Sequence, residues 1–180
     1  FECTPAHLGR DPKLLVRLSE ATRVQFVTNT GYYAARQNKF LPAHAFTEDA
    51  ESLAARWSRE WREGIDGTGV RPGFIKLGFD AGALSEVAQK LVRAAARTHR
   101  ESGLTIAAHT GDDTAALAQV ALLHEEKVQP AAWIWVHAQN VKNEETLATL
   151  ARAGAWLSFD GISPRSLARH VHLVATMKRN

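Results

Sequence analysis

Cysteine is almost missing from this sequence: Cys3 is the single one among 180 residues. That excludes an internal disulfide framework and a cysteine-based zinc site. No apolar run approaches the roughly 18 residues of a membrane-crossing helix, no charged-then-apolar leader opens the chain, and neither a GxGxxG nor a Walker-type loop follows any apolar run. Charge of one sign is also lacking. The 22 basic and 19 acidic side chains leave a net charge of +3 and a pI near 9.2 without a dense basic stripe, which argues against a nucleic-acid partner and against a membrane one. No low-complexity segment or linker interrupts the chain, so residues 1–180 read as one soluble domain. A cytoplasmic location is the expectation. An exported protein stays open, because Phe1-Glu2-Cys3-Thr4-Pro5 reads as the end of a strand entering a loop.

Against these absences stands a regular alternation, with 45% hydrophobic residues to fill a core. Strand-like runs are expected within 23–33, where 24–28 is the core and Gly31 the close, and at 74–79, 104–109, 133–137 and 155–160. Helical spacing is expected at 11–20, 48–65, 85–101, 113–126 and 143–153, with a last helix over 164–180. Asp11 and Thr47 are the expected caps of the first two helices, while Trp57 and Trp61 lie one turn apart as core packing. Trp133, Trp135 and Trp156 read as wall residues. Strands alternating with helices imply a mostly parallel sheet. Absence of a dinucleotide fingerprint and presence of ionisable residues at strand ends select a (β/α)8 TIM barrel over an open doubly wound sheet. About six strands are expected, so the barrel lacks its first and last.

Lys76 lies within the apolar run Phe74-Ile75-Lys76-Leu77-Gly78-Phe79, and two later runs end in His109 and His137. The three recur about 30 residues apart, the pitch of successive βα units, and strand ends of a parallel barrel converge on one mouth. A buried lysine has a lowered pKa, because desolvation disfavours the ammonium. Its neutral amine can take up carbon dioxide to form a carbamate, a carboxylate-like ligand that bridges two divalent cations.

The sequence resembles the phosphotriesterase family of the amidohydrolase superfamily over nearly its whole length. The motifs, in order, are Gly9-Arg10-Asp11, Thr30-Gly31-Tyr32-Tyr33, Gly73-Phe74-Ile75-Lys76, Ala108-His109-Thr110, Val136-His137 and Phe159-Asp160. The resemblance implies a binuclear metal-dependent hydrolase of a lactone, carboxylic ester or phosphoester, with metal-bound hydroxide as nucleophile. It implies two divalent ions, zinc first among them, a carbamylated Lys76 as bridging ligand, and His109 and His137 on the more exposed ion. The family's His-x-His pair on strand one and its aspartate on strand eight have no counterpart in the required places. His170-Val171-His172 is rejected as that pair, since residues two apart on a helix point in different directions.

Tyr33 stands where the best-known phosphotriesterases carry tryptophan, which resembles the lactonase branch and makes Tyr33 a substrate contact or a rim residue. Asp160 either faces substrate or caps its own loop. Where that branch's proton relay would fall stand Asn140 and Gly161, neither able to carry a proton at neutral pH. A noncatalytic or truncated relative serving as a binding or assembly module is the alternative, and a nuclease of the TatD-like kind ranks below it because those use glutamate at the position of Lys76. The partner expected is a small ester or lactone, with a homodimer left open. His7, His44, His99 and His124 are assigned no chemistry.

Overall fold

Five strands, β1 (Asn29–Thr30), β2 (Phe74–Phe79), β3 (Thr105–Thr110), β4 (Trp133–Val136) and β5 (Trp156–Ser158), lie side by side in chain order and pair in parallel throughout. They come from a computed structural model that describes residues 1–179. Parallel neighbours need long return connections, and α3 (Ala50–Glu63), α4 (Glu86–Ser102), α5 (Asp113–Glu125) and α6 (Glu144–Arg152) supply them. α1 (Pro12–Thr22), the single turn α2 (His44–Thr47) and α7 (Leu167–Arg179) complete the helices. An order that never reverses is that of a barrel wall; a doubly wound sheet has a switch point. The architecture is therefore an arc of a (β/α)8 barrel.

Alternation along each strand sorts its side chains to two faces. Ile75, Leu77 and Phe79 of β2, Ile106 and Ala108 of β3, and Trp133 and Trp135 of β4 join the helix-facing core with Leu53, Trp57, Leu91 and Leu123. The other face of β2, carrying Phe74, Lys76 and Gly78, looks into the barrel. Helix starts follow their caps: Asp11, Ser85, Asp112 and Asn143 each accept a backbone N–H of the first turn.

Several expectations are corrected. The run 24–28 forms no strand: only Asn29 and Thr30 enter the ladder, opposite Phe74 and Ile75, and Val24 and Phe26 are exposed. Strand propensity measures side-chain fit to a pleated surface, whereas a strand also needs a paired backbone, and Glu2 N–H to Val27 O at 2.8 Å is what ties the opening residues in. The opening residues themselves form no strand, so the count is five rather than six among the described residues. Asp49, not Thr47, caps α3, its side chain accepting from Ser52 N–H at 2.8 Å, while Thr47 closes α2. Trp156 is 65% exposed rather than walled in, because β5 has no strand beyond it among the described residues. Asn180, the last residue of the expected final helix, lies outside the described residues.

Candidate metal centre

Register places Lys76 and His109 on one face. Lys76 is opposite Ala107 and Gly78 is opposite His109, so Lys76 and His109 are diagonal neighbours on the inward side. His137 does not end β4 as expected. It follows Val136, which is opposite His109, and its left-handed φ of 71° ends the strand. The two imidazoles meet edge to face with centroids 4.5 Å apart.

Tyr33 completes the group. Its ring lies 5.4 Å from the Lys76 Nζ and 5.4 Å from the His109 ring, and its backbone bridges to Gly78 in parallel. Gly78 is what admits it: a Cβ there would stand 2.2 Å from the Tyr33 Cδ2 and Cε2. A glycine inside a strand often marks such a close approach, and this one was a readable sign of the pocket. Gly78→Ala is expected to lower stability by about 1–3 kcal/mol through overpacking, measured as a reduced midpoint of urea unfolding.

Burial sets the electrostatics. Lys76 is 5% exposed, and desolvation lowers its pKa from 10.5 to about 8. No carboxylate pairs with it among the described residues. Its Nζ donates to the Leu77 carbonyl at 2.7 Å. His109 is pushed down to about 4, first by burial and then by His137 and Lys76. It is a neutral imidazole at any physiological pH, and neither ring nitrogen has a hydrogen-bond partner among the described residues. Burial raises the Tyr33 phenol, which therefore stays protonated and able to donate.

His137 is oriented by Asp160. Its Nδ1 lies 2.7 Å from Oδ1 and 2.6 Å from Oδ2 of that carboxylate. Gln139 donates from Nε2 to Oδ1 at 2.7 Å and accepts the Asp160 N–H at 3.3 Å. Burial works to raise the Asp160 carboxyl, but the hydrogen bonds from His137 and Gln139 outweigh it and leave its pKa lowered. Asp160 thus engages His137 rather than capping its own loop, and its hold on Nδ1 leaves Nε2 as the outward lone pair, the arrangement that fixes a ligating histidine. Neither Asp160's link to His137 nor the part played by Gln139 was read from the sequence; three separate positions had to meet before either was visible.

Among the described residues no group of three or more His, Cys, Asp or Glu side chains is placed to hold a cation. The mouth offers two imidazoles and an amine instead. The donor set would fit one cation were the amine to become a carbamate: His109 is neutral and unengaged, His137 is oriented, and Lys76 is buried with no carboxylate paired to it among the described residues. His170 and His172 are not part of it. His170 is buried against the Ser166 and Asp160 carbonyls, both at 2.8 Å, whereas His172 is exposed and pairs with Glu144. Asn140 is exposed, and Gly161 brings no side chain to the mouth.

A parallel arc of barrel with ionisable residues gathered at consecutive strand ends defines a protein of the (β/α)8-barrel class. The chain belongs to the phosphotriesterase family, whose model matches residues 1–179. It is 31% identical over 167 residues to a phosphotriesterase homology protein of Escherichia coli, covering 92% of this chain and 56% of that one. It is 27% identical to an aryldialkylphosphatase of Saccharolobus solfataricus, covering 85% and 48%. A crystal structure of the phosphotriesterase homology protein of Escherichia coli, complexed with phosphate in its active site, superposes with a TM-score of 0.90 at 28% identity, over 99% of this chain and 62% of that one. The chain spans about half the length of the curated relatives it matches.

Proposed function

We propose that the Lys76–His109–His137 mouth is the metal centre of a hydrolase acting on a lactone, carboxylic ester or phosphoester. The observation that carries the proposal is the state of Lys76: a buried amine, lowered to about 8 and unpaired with any acid among the described residues, beside a histidine that is neutral and unengaged there. Attack of the neutral amine on carbon dioxide forms one N–C bond and releases one proton. The product carbamate presents two oxygens sharing one negative charge where a desolvated ammonium would otherwise stand. His109 and the Nε2 of His137 supply neutral nitrogen donors beside it. A divalent cation held there, zinc being well suited to nitrogen and carboxylate-like donors, would activate water at neutral pH and polarise the scissile oxygen.

The chain's own residues account for the rest. Asp160 keeps His137 turned toward the mouth, and the Tyr33 phenol can donate a hydrogen bond to a substrate oxygen. Tyr33 in place of tryptophan supports a lactone over an organophosphate. No serine or cysteine nucleophile is required.

The test is to strip the protein of metal, reload it with zinc, cobalt or manganese in bicarbonate, and screen lactones, carboxylic esters and phosphotriesters. Turnover that needs both metal and bicarbonate is the expected result. Hydrolysis indifferent to chelation, or metal bound without any turnover, would overturn the reading, the latter in favour of a binding module. Asp160→Asn is expected to weaken zinc binding by about 10–100-fold, read by competition with a chromogenic chelator, with little change in unfolding temperature.

A further inference from the structure

We propose that Asp80 is a positioning residue: it clamps a left-handed turn at residues 36–38, and that turn carries Phe40 back against Tyr33, fixing the phenol at the mouth. Its consequence for turnover rests on the hydrolytic reading above. Its geometry does not.

Arg36, Gln37 and Asn38 have φ of 61°, 58° and 62°. Residues other than glycine are disfavoured in that region because Cβ crowds the carbonyl that follows, and they visit it singly rather than in runs. Three in succession persist only where the surroundings over-determine them. Asp80, the first residue after β2, does this with both carboxylate oxygens. Oδ1 accepts the Arg36 N–H at 2.8 Å and Oδ2 accepts the Gln37 N–H at 2.9 Å. Backbone bonds from Asn38 N–H to Ala34 O at 3.0 Å and from Leu41 N–H to Asn38 O at 3.0 Å close the turn on either side.

The reversal has a single aromatic outcome. The Phe40 ring comes to 6.4 Å from the Tyr33 ring at 62°, on a tyrosine whose ring also contacts Lys76 and His109. Tyr33 is otherwise held by the Gly78 bridge and by Ala34 N–H donating to the Gly78 carbonyl at 2.8 Å. Clamp and amine lie on one short stretch of chain, since Lys76 is in β2 and Asp80 directly follows that strand, four residues on. Asp80 thereby ties the position of the phenol to the strand that carries Lys76.

The experiment compares Asp80→Ala, Asp80→Asn and Phe40→Ala in the metal-loaded protein by NMR and kinetics. Asp80→Ala should speed amide exchange at Arg36 and Gln37, abolish ring-to-ring NOEs between Tyr33 and Phe40, and raise KM roughly tenfold with kcat within about twofold and metal content unchanged. Asp80→Asn keeps one acceptor oxygen and should fall between, which also covers a failure of the alanine variant to fold. Phe40→Ala should reproduce the KM change while leaving exchange at Arg36 and Gln37 as in the unaltered protein. Retained Tyr33–Phe40 NOEs despite fast exchange would overturn the proposal, as would a loss of kcat and metal at constant KM. If the unaltered protein hydrolyses nothing, the hydrolytic reading fails by itself, and the NOE and exchange results still decide the place of Asp80.

Discussion

Lys76→Met is expected to abolish hydrolysis, lowering kcat/KM by at least about a thousandfold, because metal-ion stabilisation of the transition state is worth several kcal/mol. The same variant should be more stable than the unaltered metal-free protein at neutral pH. The native pKa of Lys76 is about 8 against 10.5 in the unfolded chain, so the folded state bears the desolvation cost of the ammonium wherever both states are protonated. That cost is about 3 kcal/mol or slightly more by conversion of the shift. Below pH 8 it is fully present. Between pH 8 and 10.5 the unfolded chain binds the proton that the native chain has released, so stability of the unaltered protein rises with pH. Above 10.5 the penalty is gone. Chemical denaturation at pH 7 and at pH 10 reads this: Lys76→Met should show its advantage at pH 7 and lose most of it at pH 10. A variant that loses activity and stability together would point instead to a lysine that merely supports the fold.

His109→Ala should reduce metal affinity and turnover by at least about a hundredfold, since a deleted ligand costs no less than the 10–100-fold of a lost outer partner. The pH profile separates His109 from Lys76. Because His109 titrates near 4, protons do not compete for its lone pair until well into the acid range. The steep part of metal loading should follow Lys76, whose neutral fraction is about one in ten at pH 7 and one in two at pH 8. Loading in bicarbonate should therefore climb between pH 7 and 8 and stay insensitive to His109 above pH 5. Titration of metal binding by calorimetry across that span makes the check. A loading curve that falls with a midpoint near 6.5 would assign control to an ordinary histidine.

The strands that carry the candidate site were legible because their signals are local. Lys76 in an apolar run, and His109 and His137 at the close of two more, can be read from periodicity and from the repeat of βα units. What the chain alone withheld depends on partners. Val24 to Thr28 has strand composition, yet the ladder begins at Asn29 because that is where β2 offers a backbone to pair with. Trp156 has wall composition and lies on an edge. The left-handed turn at Arg36, Gln37 and Asn38 contains no glycine, so nothing in its residue types announces it; the announcement comes from Asp80, more than forty residues later in the chain. The pairing of Asp160 with His137 is of the same kind.

The central claim is that Lys76 becomes a metal-binding carbamate beside imidazole donors, and one measurement addresses it most directly. Metal-free protein is loaded with zinc in 13C-bicarbonate, and the carbamate carbon is sought by NMR alongside the bound zinc. The account predicts a protein-bound carbamate signal that grows with zinc occupancy and is absent, with the zinc, from Lys76→Met. Full zinc occupancy without that signal, or equal zinc binding by Lys76→Met, would contradict it.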